Sequence, residues 1–556
     1  MRQALHQEAL LKNKSSSATL LTVMLNHQSE QPLYRQLYTA MRQDILSGQL
    51  AAGTRLPSTR AFAHTLGISR STVVVAFEQL LYEGYLRGAV GSGTYVEDVL
   101  PDAFLALPHQ AQIGEPKTPA TPRPRDQNLS QRGKIIATTD VAPISSWNNE
   151  VLHQTFRTGI PALNEFPFKL WSQIANRCWL QSAPANFGYT DPAGFRPLRR
   201  EIAAYLQAAR GVRCREEQII ITSGSQQAIN LAAQILIDPG DDVWIEDPVY
   251  LGARGALLNS GAQLVPLPID QEGIDIRQGI QASPQARLIY VTPSHQYPSG
   301  ITMSLARRLA LLRWANQTGA WILEDDYDGE YRYMGHPLAS LQGLDQANRV
   351  IYIGTFSKIL FPGLRLGYLV APIELVETFT AARAAFDRHS HVLDQMVLTD
   401  FIREEHFARH VRRMRALYAE RQNILIDAIK QDLSGAIDVQ PDPAGMHLIA
   451  DLPADCDDLT ITEQASRQNI FVTPISKYYF KAAPRNALVL GYTAFNEQEI
   501  RAGIHTLAEI FSTKKEQKLN PAPQLPQTPS TSRQQPDQTY AHLPAQSTAT
   551  HPASKD

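Results

Sequence analysis

The segment GTFSKILFPGLRLGY (354–368) places a lysine, Lys358, and an arginine, Arg365, in otherwise apolar surroundings. Burial disfavours the charged form of a lysine, so an amine in such a segment is neutral more often than an exposed one and can attack a carbonyl group. The segment overlaps the run VIYIGT (350–355), which has the composition of a buried strand. The pattern predicts a carbonyl-capturing lysine just beyond a strand.

Four further runs of β-forming residues precede this segment and alternate with helical stretches. Their apolar residues are nearly continuous, as in strands of a sheet that is covered on both faces. The alternation is typical of an α/β fold, in which functional residues lie just beyond the carboxyl ends of the strands. The four runs are QIIIT (218–222), DVWIED (242–247), RLIYVTP (287–293) and WILEDD (321–326).

Polar and aromatic residues follow each of these strands. After the first, a turn through Gly224 leads into a helix, whose free backbone N–H groups and neighbouring hydroxyls form a phosphate site. After the second, EDPVY places Tyr250 at a strand end, and after the third, TPSHQYPSG presents His295 on a loop. The fourth ends in EDDYDGEY, where a buried acid needs a cationic partner.

One ligand meets these requirements together. A phosphate would bind at 223–225 and Arg365, an aromatic ring would stack on Tyr250, a carboxylate would keep a ring nitrogen protonated, and Lys358 would capture an aldehyde. Pyridoxal 5′-phosphate carries all four of these features. We therefore expect this cofactor in the large C-terminal part of the chain.

A smaller block near the N-terminus predicts three helices and a hairpin. Apolar residues recur at helical spacing from Leu33 to Ile45, and Ser58 and Ser69 are candidate N-caps of two further helices joined by a turn at Gly67. Residues 85–96, with glycines between β-formers, indicate the hairpin. Residues 31–96 carry six basic and three acidic side chains, a local positive charge that points toward phosphate.

The string LPSTRAFAHTLGISRSTVVVAFEQLLYEGYLRGAVGSGTYV (56–96) resembles the winged helix-turn-helix of the GntR family of bacterial transcription regulators. The resemblance implies that the start of the second helix and the wing bind double-stranded promoter DNA. One such module buries only about 600–1,000 Å² on DNA, so useful specificity requires two copies and hence a homodimer or larger oligomer. The implied DNA-binding residues are Arg60, Ser69, Arg70, Ser71, Thr72, Gly91 and Ser92.

Residues 156–511 resemble the fold-type I aminotransferases. The resemblance implies that Lys358 forms the Schiff base with the cofactor, that Asp325 contacts the pyridine nitrogen, and that Tyr327 and His295 lie near the ring hydroxyl. Asp326 is the alternative to Asp325 for the ring contact. The implied cofactor-binding residues are Gly224, Ser225, Gln226, Tyr250, His295, Asp325, Tyr327, Thr355, Lys358 and Arg365.

The stretch ALVLGY (487–492) departs from that family at one position. The family commonly has an arginine there that grips the substrate carboxylate, whereas this chain has Val489. Arg485 is close in sequence and is a candidate replacement. The departure argues against ordinary transamination of α-amino acids.

A GntR-type domain followed by an aminotransferase-like domain resembles the MocR group of regulators. The resemblance implies a multidomain chain, with an N-terminal winged helix-turn-helix and a C-terminal α/β domain of the pyridoxal-phosphate transferase fold type I. It also implies a head-to-tail dimer that regulates transcription in response to the cofactor, an amine or an amino acid. The alternatives are an aminotransferase with an appended DNA-binding domain and a sensor of the cofactor alone.

Composition limits the class of protein further. The net charge of −2 over 556 residues excludes a uniformly basic nucleic-acid coat, although a local basic surface remains possible. Three widely spaced cysteines fit neither a disulfide framework nor a zinc cluster, and they favour the reducing cytoplasm. We find no apolar run of the length that crosses a bilayer, so no membrane association is expected.

Proline-rich stretches divide the chain into five predicted parts. An N-terminal extension (1–30) precedes the winged-helix domain (31–98), and a Pro-rich linker (99–155) leads to the aminotransferase-like domain (156–511). A Pro/Gln-rich tail (512–556) has too few large apolar residues for a packed core, so we expect it to be disordered.

Overall fold

The structure of the chain is a computed structural model that describes residues 25–27, 29, 31–89, 93–98, 129–138, 155–335, 339–481 and 483–519. The chain divides into two compact units, with the boundary after Arg125. Among the described residues, none of the helices combines the length and the apolar character that a membrane span requires.

The N-terminal unit contains three helices and a two-stranded antiparallel sheet. The hydroxyl of Ser58 accepts the backbone N–H of Ala61 at the start of the second helix, and the hydroxyl of Ser69 accepts that of Thr72 in the third, so both predicted N-caps are present. Gly67 provides the left-handed turn between these helices at φ 65°. The elements are α1 (Leu33–Leu46), α2 (Thr59–Leu66), α3 (Arg70–Tyr82), β1 (Leu86–Ala89) and β2 (Gly93–Val96).

A core of apolar side chains holds these five elements together. The face of α3 predicted from its spacing, which includes Val73, Phe77 and Leu80, is buried. Phe77 packs against Phe62 of α2, with ring centroids 5.8 Å apart. The first turns of α2 and α3 carry exposed polar side chains instead.

An eight-stranded sheet forms the centre of the C-terminal unit. Its order is β3-β10-β9-β8-β7-β4-β5-β6, in which β10 is antiparallel to both neighbours and β6 to β5, while the other pairs are parallel. The strands are β3 (Ile219–Thr222), β4 (Asp242–Asp247), β5 (Gln263–Asp270), β6 (Gly273–Ile274), β7 (Leu288–Val291), β8 (Trp321–Asp326), β9 (Val350–Thr355) and β10 (Gly367–Val370).

The five runs read from the sequence as strands are all strands of this sheet. The residues of β3, β7, β8 and β9 are all buried, in agreement with a sheet that is covered on both faces. Because β4, β7, β8 and β9 are parallel, their carboxyl ends lie at one edge, where the predicted functional residues follow them.

The helices of this unit precede the sheet, connect its strands or follow it in the chain. They are α4 (Gln131–Thr138), α5 (Phe168–Gln181), α6 (Arg196–Arg210), α7 (Ser225–Leu236), α8 (Leu251–Asn259), α9 (Ile276–Ala282), α10 (Leu305–Thr318), α11 (Leu341–Leu344), α12 (Val376–Phe386), α13 (Val392–Arg403) and the long α14 (His406–Asp432).

A smaller antiparallel sheet of order β11-β12-β14-β13 follows α14. It packs into one apolar core with α14 and the last helix. The elements are β11 (Asp438–Val439), β12 (His447–Asp451), α15 (Asp458–Arg467), β13 (Thr473–Pro474), β14 (Ala487–Gly491) and α16 (Glu497–Leu519).

Two helices differ from the predicted division of the chain into domains, linker and tail. Helix α4 lies inside the segment 99–155 that composition assigned to a linker, in a stretch whose residues QRGKIIAT contain no proline. Helix α16 continues to Leu519, past the predicted domain end at 511, because the prolines that break helices begin only after it. Residues 520–556 of the predicted tail lie outside the described residues.

Candidate functional site

A cavity of about 530 Å³ lies in the C-terminal unit beyond the carboxyl ends of the parallel strands. Its volume is within the usual range for small-molecule sites. Nine of the ten predicted cofactor-binding residues line it, and His295 is the exception. The described lining residues are Thr158, Gly159, Gly224, Ser225, Gln226, Tyr250, Tyr290, Thr292, Tyr297, Asp325, Tyr327, Thr355, Ser357, Lys358, Pro362, Gly363, Arg365, Met446 and His447.

Lys358 follows β9 and places its amine in this cavity. The amine donates a hydrogen bond to the carbonyl oxygen of Gly159 over 2.8 Å. Burial lowers the pKa of Lys358 to about 8, and the positive charges of Arg157 and Arg365 act in the same direction. The neutral fraction of the amine near neutral pH is therefore much larger than in an exposed lysine, and only the neutral amine attacks a carbonyl group.

Asp325 and Asp326, the two acids that end β8, have different surroundings. Oδ2 of Asp325 accepts a hydrogen bond from Tyr290 over 2.8 Å, and its Oδ1 has no hydrogen-bond partner among the described residues. Burial raises the pKa of Asp325 to about 7. Asp326 is ion-paired with Arg210 at 2.6 Å and does not line the cavity. Of the two acids, Asp325 is therefore the one that can meet a ligand.

The turn between β3 and α7 forms another wall of the cavity. Gly224 has a φ of 103°, which favours glycine, and a Cβ on it would lie 3.6 Å from the guanidinium nitrogens of Arg365. Ser225 begins α7, so its neighbouring backbone N–H groups lie at a helix N-terminus. The turn and Arg365 together form a site for an anion.

Two more buried polar atoms at the cavity have no partner within the described part of the chain. They are Oε1 of Gln226 and Oγ of Ser357. The amide nitrogen of Gln226 is held by the carbonyl oxygen of Gly252 at 2.8 Å, and the hydroxyl of Thr355 accepts the backbone N–H of Ser357 at 3.2 Å. Buried polar atoms are normally hydrogen-bonded, so these atoms indicate a polar ligand.

The loop after β7 places His295 outside the described cavity lining. Its imidazole lies behind the cavity wall, with Nδ1 2.9 Å from Asp328 and Nε2 3.2 Å from Asp442. Burial opposes the charged form, but the two carboxylates raise the pKa of His295 to about 10. The residue of this loop that lines the cavity is Tyr297.

The predicted aromatic residues lie at the cavity. Tyr250, at the start of α8, lines it and packs edge-on against Tyr297, with centroids 5.9 Å apart. Tyr327 lines it too, and its hydroxyl is 3.0 Å from Nδ1 of His295. His295 therefore contacts a residue of the cavity lining.

The described cavity lining includes neither Val489 nor Arg485. Val489 is buried in β14, where it is paired with Ile449 and Thr473. Arg485 pairs with Asp451 at 2.7 Å on a half-exposed surface. Arg485 is not among the described residues that line the cavity, and its guanidinium is paired with Asp451 instead.

Sequence reasoning missed several lining residues. Tyr290 and Ser357 lie within or next to predicted strands, where the apolar neighbours gave no signal of a ligand contact. Tyr297 lies in the TPSHQYPSG loop, for which the prediction named His295 instead. Thr158 and His447 come from segments without a recognisable motif. Only the position of Tyr297, directly before a proline in a loop already singled out, gave a usable signal.

The N-terminal unit presents the predicted DNA-binding residues at the starts of two helices. Arg60 in α2 and Arg70 in α3 are exposed. The hydroxyl of Ser69 lies 2.8 Å from that of Ser71 and 2.7 Å from that of Thr72, so these three side chains form one cluster at the α3 N-terminus. Gly91 and Ser92 of the predicted wing lie outside the described residues.

Each of the two units matches the model of a known protein family. Residues 33–96 match the model of the bacterial regulatory proteins of the gntR family, and residues 150–506 match that of aminotransferase class I and II. These matches cover the helices and hairpin of the N-terminal unit and the cavity-bearing sheet of the C-terminal unit.

Individual relatives share the complete arrangement. The chain is 38% identical over 494 residues to the probable rhizopine catabolism regulatory protein MocR of Rhizobium meliloti, with 88% of this chain and 96% of that protein aligned. It is 31% identical over 493 residues to the pyridoxine biosynthesis transcriptional regulator PdxR of Corynebacterium glutamicum, with 88% and 98% aligned.

A solved structure resembles the C-terminal unit. The α-aminoadipate aminotransferase LysN of Thermus thermophilus, in complex with N-(5′-phosphopyridoxyl)-L-leucine, has a TM-score of 0.63 and 27% identity. The match covers 69% of this chain and 98% of that protein.

A GntR-type DNA-binding domain joined to a domain of the fold-type I aminotransferases defines a bacterial transcription regulator. The chain belongs to the MocR family of such regulators. Pyridoxal 5′-phosphate is the cofactor of this aminotransferase fold.

The cavity residues fit that cofactor. The unpartnered Oδ1 of Asp325 suits a protonated ring nitrogen, the Gly224 turn with Arg365 suits a phosphate, and the Lys358 amine suits an aldehyde. These groups all line one cavity.

Proposed function

We propose that this regulator binds promoter DNA through α2, α3 and the wing, and that its C-terminal unit senses pyridoxal 5′-phosphate, an amine or an amino acid in the cytoplasm. The observation that carries the proposal is that Lys358 and Asp325 line the same cavity in a chain that also has a GntR-type domain. An amine nucleophile and an acid with one unpartnered oxygen are what this cofactor requires of a protein.

Each cavity residue has a proposed part in holding the cofactor. The backbone at Gly224 and Ser225, with the side chains of Gln226, Thr355 and Arg365, binds the phosphate. Tyr250 contacts the ring face, Tyr327 the ring hydroxyl, and Asp325 the ring nitrogen. When bound, the cofactor supplies an aldehyde that condenses with amines and a ring that accepts electron density. Lys358, through its neutral form, is the residue that holds the aldehyde.

Regulation requires that the ligand bind one conformation of the protein better than another. A ligand shifts an equilibrium only by its differential affinity, and about 1.4 kcal/mol of difference changes DNA affinity tenfold. Lys358 would hold the cofactor through the aldehyde that the cofactor supplies, and a ligand amine would compete with the Lys358 amine for that group. We propose that the protein prefers different conformations when Lys358 is held and when it is free.

We further propose that the regulator is a head-to-tail homodimer. A single winged helix has a small DNA interface, so two copies are needed for specific binding. The C-terminal unit also exposes large apolar side chains close together in sequence, namely Trp179, Leu180, Phe187 and Tyr189. Exposed apolar groups of this size favour a protein–protein interface.

Selection of genomic fragments by the full-length protein, with and without pyridoxal 5′-phosphate, tests this function. We expect the fragments to include a promoter, and we expect the cofactor, alone or with an amine, to change the Kd for that promoter in the wild type. Lys358→Ala should bind DNA and should no longer respond. A wild-type protein that stays colourless with the cofactor, and whose promoter affinity does not change, would contradict the proposal.

Turnover is the second candidate function, because the lysine and acid that transamination needs are both at the cavity. Incubation of the loaded protein with amino donors and a keto acid distinguishes the two functions. Catalytic formation of product, in excess of the protein, would identify an aminotransferase with an appended DNA-binding domain.

A further inference from the structure

Helix α3 places an apolar side chain on its surface close to its N-terminus. Three side chains between residues 70 and 75 are exposed, namely Arg70, Ser71 and Val75, and Val75 is 43% exposed. Residues four apart are neighbours on the same side of a helix, so Val75 lies one turn beyond Ser71. The predicted DNA-binding surface at the start of α3 therefore continues to a valine.

The fold of the N-terminal unit does not account for this valine. The residues of α3 that are buried in the core are Val73, Ala76, Phe77 and Leu80, and they form the opposite side of the helix. A β-branched residue also has a lower helix propensity than alanine. The exposed side chain of Val75 therefore supports neither the packing of this core nor the formation of the helix.

The charges on the exposed side of α3 favour close approach of DNA at its N-terminal half. Arg70 begins the helix, and Glu78 follows Val75 by three residues and is also exposed. The phosphates of DNA attract the arginine and repel the glutamate. In a helix-turn-helix, the N-terminal residues of the second helix contact base edges in the major groove. Val75 therefore belongs to the part of α3 that approaches the bases.

Thymine is the base that suits a valine in the major groove. It presents a C5-methyl group there, whereas the edges of the other bases present hydrogen-bond donors and acceptors. A valine side chain forms no hydrogen bonds, so against those edges it would displace water without replacing its bonds. Contact with a thymine methyl group instead removes apolar surface of both partners from water.

We propose that Val75 recognises a thymine of the operator through the C5-methyl group of that base. This inference rests on the proposed DNA-binding function of α3 and adds a specificity-determining residue to it. Val75 is about 6 Å beyond Ser71 along the helix axis, and successive base pairs are about 3.4 Å apart. The thymine should therefore lie within about two base pairs of the bases that the start of α3 contacts.

Replacement of thymine by uracil tests the proposal, because uracil lacks only the methyl group. A duplex recovered by the full-length protein from genomic fragments is synthesised again with uracil at each thymine in turn. The Kd of each duplex is measured by mobility shift at one salt concentration, with the cofactor present or absent as in the selection. We expect uracil at one thymine position to weaken binding of the wild type about fourfold, since a buried methyl-sized group contributes about that factor.

Three variants separate a contact made by Val75 from an effect of the methyl group on the duplex itself. Val75→Ala introduces a better helix former at an exposed site, so the variant should fold, and it should no longer distinguish thymine from uracil at that position. Val75→Thr keeps one methyl group and should retain part of the discrimination. The control is Leu46→Ala, which shortens an exposed apolar side chain of α1 and should leave the fourfold effect unchanged.

The outcomes separate this inference from the proposed function. A full-length protein that recovers no promoter duplex contradicts the proposed function itself. A protein that binds a recovered duplex but tolerates uracil at every thymine, or that shows the same uracil effect in Val75→Ala as in the wild type, overturns the inference alone. Loss of the uracil effect in Val75→Ala, together with its retention in Leu46→Ala, supports the inference.

Discussion

The hydroxyl of Tyr290 donates a hydrogen bond to Oδ2 of Asp325 over 2.8 Å, and both residues are fully buried. The bond occupies one carboxylate oxygen and leaves Oδ1 without a partner among the described residues. Tyr290 is in β7 and Asp325 is in the adjacent parallel strand β8, so two strands fix the direction in which Oδ1 points. Tyr290 therefore positions the acid that we propose for the contact with the ring nitrogen.

Tyr290→Phe should weaken binding of pyridoxal 5′-phosphate by about 1.5–3 kcal/mol, the usual contribution of a hydrogen bond to a charged group. The measurement is a titration of cofactor absorbance. Tyr352→Phe is the matched control, because the hydroxyl of Tyr352 donates to Asp326 at 2.6 Å, outside the cavity lining. Equal effects of the two substitutions on cofactor affinity would show that Tyr290 has no specific part in positioning Asp325.

Lys358→Ala should abolish covalent attachment of the cofactor. Borohydride reduction of the wild type with pyridoxal 5′-phosphate should label a single peptide that contains Lys358, as read by mass spectrometry. The control is Lys430→Ala, since Lys430 is exposed near the end of α14. Labelling that persists at the same level in Lys358→Ala, or that disappears in Lys430→Ala, would refute the assignment of the lysine.

The rate of that attachment should depend on pH through the Lys358 amine. Burial lowers the pKa of Lys358 to about 8, and the amine reacts only when it is neutral. The rate of colour development should therefore rise with pH and reach half its maximum near pH 8, well below the ordinary lysine value of about 10.4. Stopped-flow absorbance over this range measures it, and a half-maximum above pH 10 would exclude a perturbed amine.

Arg70→Ala should weaken promoter binding by about 1–3 kcal/mol if Arg70 contacts a base edge. Arg35 in α1 is also exposed, and Arg35→Ala is the matched control because it removes the same charge from the same unit. Mobility-shift assays at equal salt concentration compare the two variants. Equal losses would indicate a general effect of charge, and an unchanged affinity in Arg70→Ala would remove it from the base-reading residues.

The strands and helix starts were predictable from sequence because they follow from local patterns. The apolar runs of β7 and β8 and the serine caps at Ser58 and Ser69 depend on neighbours a few residues away. Lys358 and Arg365 also stood out, because a charged residue in an apolar segment is unusual. The residues that follow a strand end could therefore be located without knowledge of the tertiary structure.

The orientation of side chains within loops and strands was not predictable in the same way. His295 and Tyr297 are two residues apart, and the partners that hold His295 behind the wall, Asp328 and Asp442, are distant in sequence. Arg485 likewise meets Asp451 on a strand that precedes it by more than thirty residues. The direction in which these side chains point depends on ion pairs between residues distant in sequence, which no local pattern encodes.

His295→Gln should destabilise the C-terminal unit by about 3–5 kcal/mol, because it removes the imidazolium that pairs with both the Asp328 and the Asp442 carboxylates. The pKa of His295 is raised from 6.5 to about 10 in the folded protein, so the stabilisation is complete below pH 6.5 and is lost as the pH rises toward 10. The difference in melting temperature between wild type and variant should shrink over that range. His391→Gln, which removes an exposed contact to Asp394, should change little at any pH, and a pH-independent effect of His295→Gln would contradict a charged His295.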